Sequence, residues 1–195
     1  GNISNVSFTG LANASTKARV VAWFKNYLIF GNTVENSVNR KTRIRWANVG
    51  LINTWSDDDY LDIDTLSGQQ IEGFGILYDN LYIFMTDSIY KVSLVGGNDL
   101  FAISKVIEGV GCIAKNSIQN VTLNNTTNGL IFLSKDKTIN FFDGTNVVDA
   151  SILIEDTMDG LLASRLPYAV SGADINDYYL AVTTGSTATS NNLLL

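Results

Sequence analysis

Five carboxylates fall within eight residues of the stretch SDDDYLDID (56–64): Asp57, Asp58, Asp59, Asp62 and Asp64. Oxygen donors gathered this closely suit a hard cation such as Ca²⁺, which takes about six to eight of them. The spacing departs from the D-x-[DN]-x-[DN]-G pattern of an EF-hand loop, and Gly68 lies too far along to supply its turn. Asp57, Asp59, Asp62 and Asp64 are therefore weak metal-ligand candidates. A solvated acidic loop is favoured over a Ca²⁺ or Mg²⁺ site, and both over a pair of catalytic carboxylates.

A second charged stretch, NRKTRIRW (39–46), carries Arg40, Lys41, Arg43 and Arg45. Alternation along a strand puts Lys41, Arg43 and Arg45 on one face and Ile44 and Trp46 on the other. Such a face is expected to meet solvent first, and next an acidic neighbouring subunit. A phosphate backbone ranks last, because three charges bind DNA weakly and lose it in salt. The four cations are the partner-contact candidates.

What is missing narrows the chemistry further. The chain has no histidine, which removes Ser-His-Asp and Cys-His catalysis, His-ligated zinc and the usual imidazole base. Its one cysteine, Cys112, excludes an intramolecular disulfide framework and a Cys-rich zinc site, and reads as a small buried residue. A net charge of −6 gives no overall footprint for nucleic acid. No apolar run reaches the roughly 18–20 residues that span a bilayer, and the N-terminus lacks the basic start and apolar stretch of a signal peptide. No catalytic residue, no cofactor and no membrane segment is expected.

The elements that must position these residues show as a repeat. NYLIFGN, NLYIFMT, NGLIFLS and, more loosely, NDYYLAV begin at Asn26, Asn80, Asn128 and Asn176, at intervals of 54, 48 and 48 residues. Ile29, Ile83 and Ile131 share one register, and Phe30, Phe84 and Phe132 the next; Tyr179 and Leu180 continue it. Each hairpin is preceded by a strand-like run (18–24, 71–78, 117–123 and 167–173), and the first three are followed by another (42–46, 88–92 and 138–142). A fourth run shows at 101–107 and 147–154, and more weakly at LINTW (51–55). The longer first interval is read as a longer second turn, GNTVENSVNRK (31–41).

Four short antiparallel strands in about 48–54 residues is the unit of a β-propeller blade. The near-continuous apolar runs YLIF, LYIF and LIFL suit an inner strand buried on both faces between neighbouring blades. The expected fold is all-β and propeller-like: a lead-in over 1–17, repeats over 18–66, 67–114 and 115–166, and the start of a fourth, incomplete repeat over 167–195. The chain then covers about three and a half units, with Phe30, Phe84 and Phe132 as core repeat positions. A β-sandwich is the competing architecture, since short strands at regular spacing suit it too. Met158, Leu161 and Leu162 at helical spacing, with Glu155 and Asp156 early and Arg165 late, predict a short helix near 154–165. The closing LLL reads as a strand that stops at its start, so the chain is expected to continue beyond Leu195.

Taken together, the runs NYLIFGNTVENSVNRKTRIRWANVGLINTWSDDD, QQIEGFGILYDNLYIFMTDSIYKV, EGVGCIAKNSIQNV and GLIFLSKDKTINFFDG resemble the propeller region of tail hub, nozzle and packaged-DNA-stabilising proteins of short-tailed bacteriophages. The resemblance covers about residues 18–155 and rests on fold-carrying residues. It implies a non-enzymatic structural protein of the virion tail, assembled in the host cytoplasm. Its implied partners are other virion proteins and copies of itself in a ring, forming or closing the channel through which DNA leaves. Genomic DNA is then contacted at most indirectly. The alternative is a carbohydrate-binding or glycan-cleaving propeller of a phage adhesin, which needs carboxylates and aromatics gathered at one end of the propeller axis.

Overall fold

The computed structural model describes residues 17–65, 68–97, 99–123, 126–174, 177–186 and 189–195. Residues 1–16 of the expected lead-in, and Asn176 of the fourth hairpin, lie outside the described residues. The chain divides into two compact units, residues 1–71 and 72–195. The fold is all-β and propeller-like, built of successive antiparallel sheets whose strands pair in chain order.

In the first unit, β1 (Lys17–Phe24), β2 (Tyr27–Glu35), β3 (Val38–Trp46) and β4 (Tyr60–Asp62) form one sheet in the order β1-β2-β3-β4. Two-residue turns join the first three strands. Lys25 and Asn26 take φ of 49° and 65°, and Asn36 and Ser37 49° and 66°, the left-handed pair that a tight hairpin demands. Residues 31–41 are thus no long turn: they are the paired ends of β2 and β3, and the first interval is longer partly because this hairpin is longer. Between the pairs Gly31↔Ile44 and Thr33↔Arg40 the register shifts, with Asn32 at φ 54° inside the bulge. The Asn32 amide donates to the Ile71 carbonyl at 2.9 Å.

The fourth strand of this sheet is Tyr60–Asp62 and not LINTW. Leu51 and Ile52 stay exposed in a turn closed by Gly50 N–H on Asn26 O (2.7 Å) and Leu51 N–H on Asn48 O (3.0 Å). Trp55 is buried and stacks on Phe30, ring centroids 4.3 Å apart. That stacking fixes Trp55 as a core plug and leaves the sheet edge to the residues that follow it.

The second unit holds three sheets. The first is β5 (Ile71–Leu77, its first residue belonging to the other unit), β6 (Asn80–Met85), β7 (Ser88–Leu94) and β8 (Phe101–Glu108). The next is β9 (Gln119–Leu123), β10 (Thr127–Leu133), β11 (Ile139–Phe142) and β12 (Val147–Asp149). The last has three strands among the described residues, β13 (Val170–Ala173), β14 (Tyr178–Val182) and β15 (Leu193–Leu194). In β6 and β10 consecutive residues are buried, as strands covered on both faces require. Phe84 packs on Phe132 at 4.9 Å and on Phe142 at 6.3 Å, with Tyr82 edge-on to Phe142 at 4.9 Å. Leu77, Ile89, Cys112 and Leu130 complete this core. A second core joins Ile131, Leu133 and Ile139 to Leu180 and Val182 of the last sheet.

The sheets are tied by their connections. Gly109 N–H donates to Asp87 O, Cys112 N–H to Met85 O (both 2.9 Å) and Ile113 N–H to Leu133 O (3.0 Å), so the G-V-G-C join crosses the β6–β7 turn and reaches β10. A Cβ on Gly111 would lie 2.2 Å from Met85 O, which is why no larger residue fits. Cys112 is buried there, its thiol on Ala114 O at 3.2 Å. Buried Ser117 receives Leu133 N–H at 2.9 Å, and its carbonyl accepts the Tyr178 hydroxyl at 2.8 Å.

Between β12 and β13 the expected single helix is broken into pieces. A 3₁₀ turn (Ile152–Ile154) leads into α1 (Glu155–Asp159), and a second 3₁₀ stretch (Ala163–Tyr168) contains Pro167. Leu161 bridges to Thr184, and Leu162 N–H donates to Thr183 O at 2.9 Å. That backbone pairing takes both leucines out of helical geometry, while Met158, Leu161 and Leu166 still reach the second core. The run 147–154 is strand only to Asp149, whose carboxylate accepts Ser151 N–H (2.7 Å) and its hydroxyl (2.6 Å) in an Asx turn that ends the pairing. None of the described helices is long and apolar enough to cross a membrane.

Candidate functional site

The two charged stretches meet on the first sheet. Register sets Arg43 directly across from Asp62 and Arg45 across from Tyr60. Opposite charges facing one another across a strand pair are favourable, which gives β4 its place at residues 60–62. Arg43 forks onto Asp62, Nε to Oδ1 at 2.8 Å and Nη2 to Oδ2 at 2.7 Å, and its Nη1 reaches Glu35 Oε2 at 2.9 Å. Arg45 donates to both Glu35 oxygens at 3.2 Å. It also holds the backbone of the acidic loop, on Ser56 O at 2.8 Å and Asp57 O at 3.2 Å. Above the guanidiniums lies the Tyr60 ring, 3.7 Å from Arg43 Cζ and 5.3 Å from Arg45 Cζ.

The expectation that Arg43 and Arg45 form a solvated or subunit-facing surface is overturned. They are buried, 7% and 3% exposed, and their partners are Glu35 and Asp62 of the same sheet. Buried guanidiniums require such pairing, because an unpaired charge out of water is costly. The other two cations of the run remain exposed, Arg40 across from Thr33 beyond the bulge and Lys41 within it. Alternation therefore holds for the strand, and the bulge separates a solvated half from a buried half.

The electrostatics follow. Burial pushes the Glu35 carboxyl up, but the Thr33 hydroxyl (2.6 Å) and the Arg45 and Arg43 guanidiniums outweigh it and hold it below the ordinary carboxylate value. The Arg43 hydrogen bonds lower Asp62 in the same way, against burial. Asp62, in return, raises Arg43 further above its ordinary value. The cluster thus pairs two guanidiniums with two carboxylates, each satisfied by another member.

For the metal candidates, Asp62 has both oxygens engaged by Arg43, while Asp57 and Asp64 point to solvent and Asp59 is half-buried. Among the described residues no three such carboxylates gather to hold a cation. The loop acts through its carbonyls: Ser56 and Asp57 on Arg45, and Asp59 O accepting Trp46 N–H at 3.2 Å. Of the core repeat positions, Phe84 and Phe132 are fully buried, whereas Phe30 is half-buried beneath Trp55 and its neighbour Ile29 takes the buried place.

Sequence reasoning missed Glu35, the carboxylate common to both guanidiniums. The available signal was a lone acid in an otherwise basic hairpin, VENSVNRKTRIRW, on the strand next to the arginines. Together these contacts make a lock rather than an open centre: its donors and acceptors are turned on one another. No family model matches the chain, and no curated protein is similar enough to it to count as a relative.

Proposed function

We propose that the chain is a non-enzymatic structural component of a phage virion, a tail hub or nozzle element that works in a ring of its own copies with other virion proteins. Its blades form or close the DNA exit channel, after assembly in the host cytoplasm. The observation that carries this reading is that Arg43 and Arg45 are buried against Glu35, with Asp62 pairing Arg43 at the surface, as an ion-paired clasp that holds one sheet together. Such an arrangement suits a part whose task is shape. The likeness of the hairpins and joins to short-tailed-phage tail proteins supplies the setting. Within the basic run 39–46 only Arg40 and Lys41 are exposed, too few for that run to track a phosphate backbone in salt, which fits indirect contact with DNA.

Light scattering on the full-length protein and a density map of the particle that carries it test the proposal. A closed ring at the tail is the expected result. A strictly monomeric protein with no density in any particle overturns it.

A further inference from the structure

The second unit contains a cavity of 520 Å³ at one end of its three sheets. The end of β5 and its turn (Ile76 to Tyr78), the middle of β9 (Asn120 to Thr122), the start of β10 and the end of β13 line it. Its size is that of a small-molecule site, about 300–1,000 Å³.

The lining mixes apolar walls, Ile76, Leu77 and Val121, with the polar side chains of Tyr78, Asn120, Thr122 and Asn128; Asp174 is charged, and no Lys or Arg is among the described lining residues. Asn120 is exposed and lines the cavity. Asn128 accepts the Thr122 hydroxyl at 2.8 Å through Oδ1, which turns its two amide N–H donors away from that contact. The Tyr78 hydroxyl donates to Asn128 O at 2.9 Å, so the ring is fixed in place while 56% of the residue stays exposed at the rim. Gly129 completes the wall: a Cβ there would lie 2.3 Å from the Phe141 ring, so this part of the floor stays bare backbone.

We infer that this cavity binds a neutral saccharide of one or two rings. Planar amides and a carboxylate match the paired donors and acceptors of neighbouring hydroxyls, and a rigid, half-exposed tyrosine offers a face to the C–H side of a sugar ring. Phosphates and carboxylates are disfavoured, with no cation among the described lining residues and Asp174 among them. With Asp174 as the one carboxylate among the lining residues, the two-carboxylate machinery of glycoside hydrolysis is not assembled there, so the site binds and does not cleave. This inference does not rest on the virion reading.

Saturation-transfer NMR and calorimetry on the whole chain, with glucose, galactose, N-acetylglucosamine and their 1,4-linked disaccharides as probes and adenosine as a control, test it. The expected result is saturable binding of at least one sugar that Asn120→Ala weakens at least tenfold while the melting temperature stays unchanged. Tyr78→Ala should weaken it in parallel. Failure of every sugar to bind, binding of adenosine alone, or sugar binding that Asn120→Ala and Tyr78→Ala both leave within twofold overturns it.

Discussion

Where β6 buries Ile83 and Phe84 on opposite faces, the matching strand of the first sheet buries Ile29 and leaves Phe30 half covered by Trp55. The first two sheets of the second unit are held by Phe84, Phe132 and Phe142, three rings that need only proximity. The outer half of the first sheet is held by Glu35, Arg43, Arg45 and Asp62, which need angles and partners as well. Apolar packing is insensitive to pH and tolerant of small shifts. An ionic clasp around two buried guanidiniums fixes one register, and losing one of its buried members is costly because a charge is left unpaired out of water.

That contrast can be broken at either end. Phe84→Ala or Phe132→Ala should produce the largest loss, about 3–5 kcal/mol, by opening a cavity where several rings meet. Denaturant melts would show it, with hydrogen exchange locating the loosening in residues 72–195; a loss as small as that of a surface change would remove the two-faced burial assigned to β6 and β10. Glu35→Ala comes next, at about 3 kcal/mol, because it strips the shared carboxylate from two buried guanidiniums, of which Arg43 alone keeps an acidic partner. Here the loosening should fall in residues 17–62. If Glu35→Ala melts like the parent, the clasp is ornamental and the contrast collapses.

Acid sharpens the comparison without mutation. Glu35 and Asp62 both titrate below their ordinary values in the folded chain. Their contribution is therefore complete above the unfolded carboxylate range, about pH 4, and is lost as pH falls through the folded values. Exchange measured from pH 5 to pH 3 should show the first sheet losing protection before β6 and β10. Asp143 is the comparable lowered carboxyl in the second unit, but it is held by the Asn146 and Thr145 amides within one turn and should leave the sheets intact. Simultaneous loss in both units would contradict the division of labour. The smallest effect belongs to Arg40→Ala and Lys41→Ala, below about 0.5 kcal/mol each, since both are exposed. A drop comparable to that of Glu35→Ala would place them in the clasp.

The apolar half of the molecule was the readable half. Runs such as LYIF and LIFL announce burial on both faces by composition alone, and the strands they predict are the strands that form. The first sheet was harder for a physical reason: its edge strand is recruited by charge pairing, Arg43 to Asp62, across a loop of more than a dozen residues. Composition favoured LINTW for that edge, but Trp55 is claimed by Phe30. The helix near 154–165 shows the same limit, since its apolar spacing was real and put Met158 and Leu161 in the core, yet the backbone of Thr183 and Thr184 competes for Leu161 and Leu162. Glu35 and the cavity wall were invisible because both depend on which residues face each other across strands.

The join at residues 109–113 has a mechanical meaning. Adjacent amides, Cys112 and Ile113, are bonded to β6 and β10 in different sheets, so a single peptide unit spans the gap with no slack. A torque applied to one of those sheets cannot be absorbed as rotation at a hinge; it passes to the next sheet or breaks the bonds outright. The pair should respond to load as one stiff plate, yielding late and all at once.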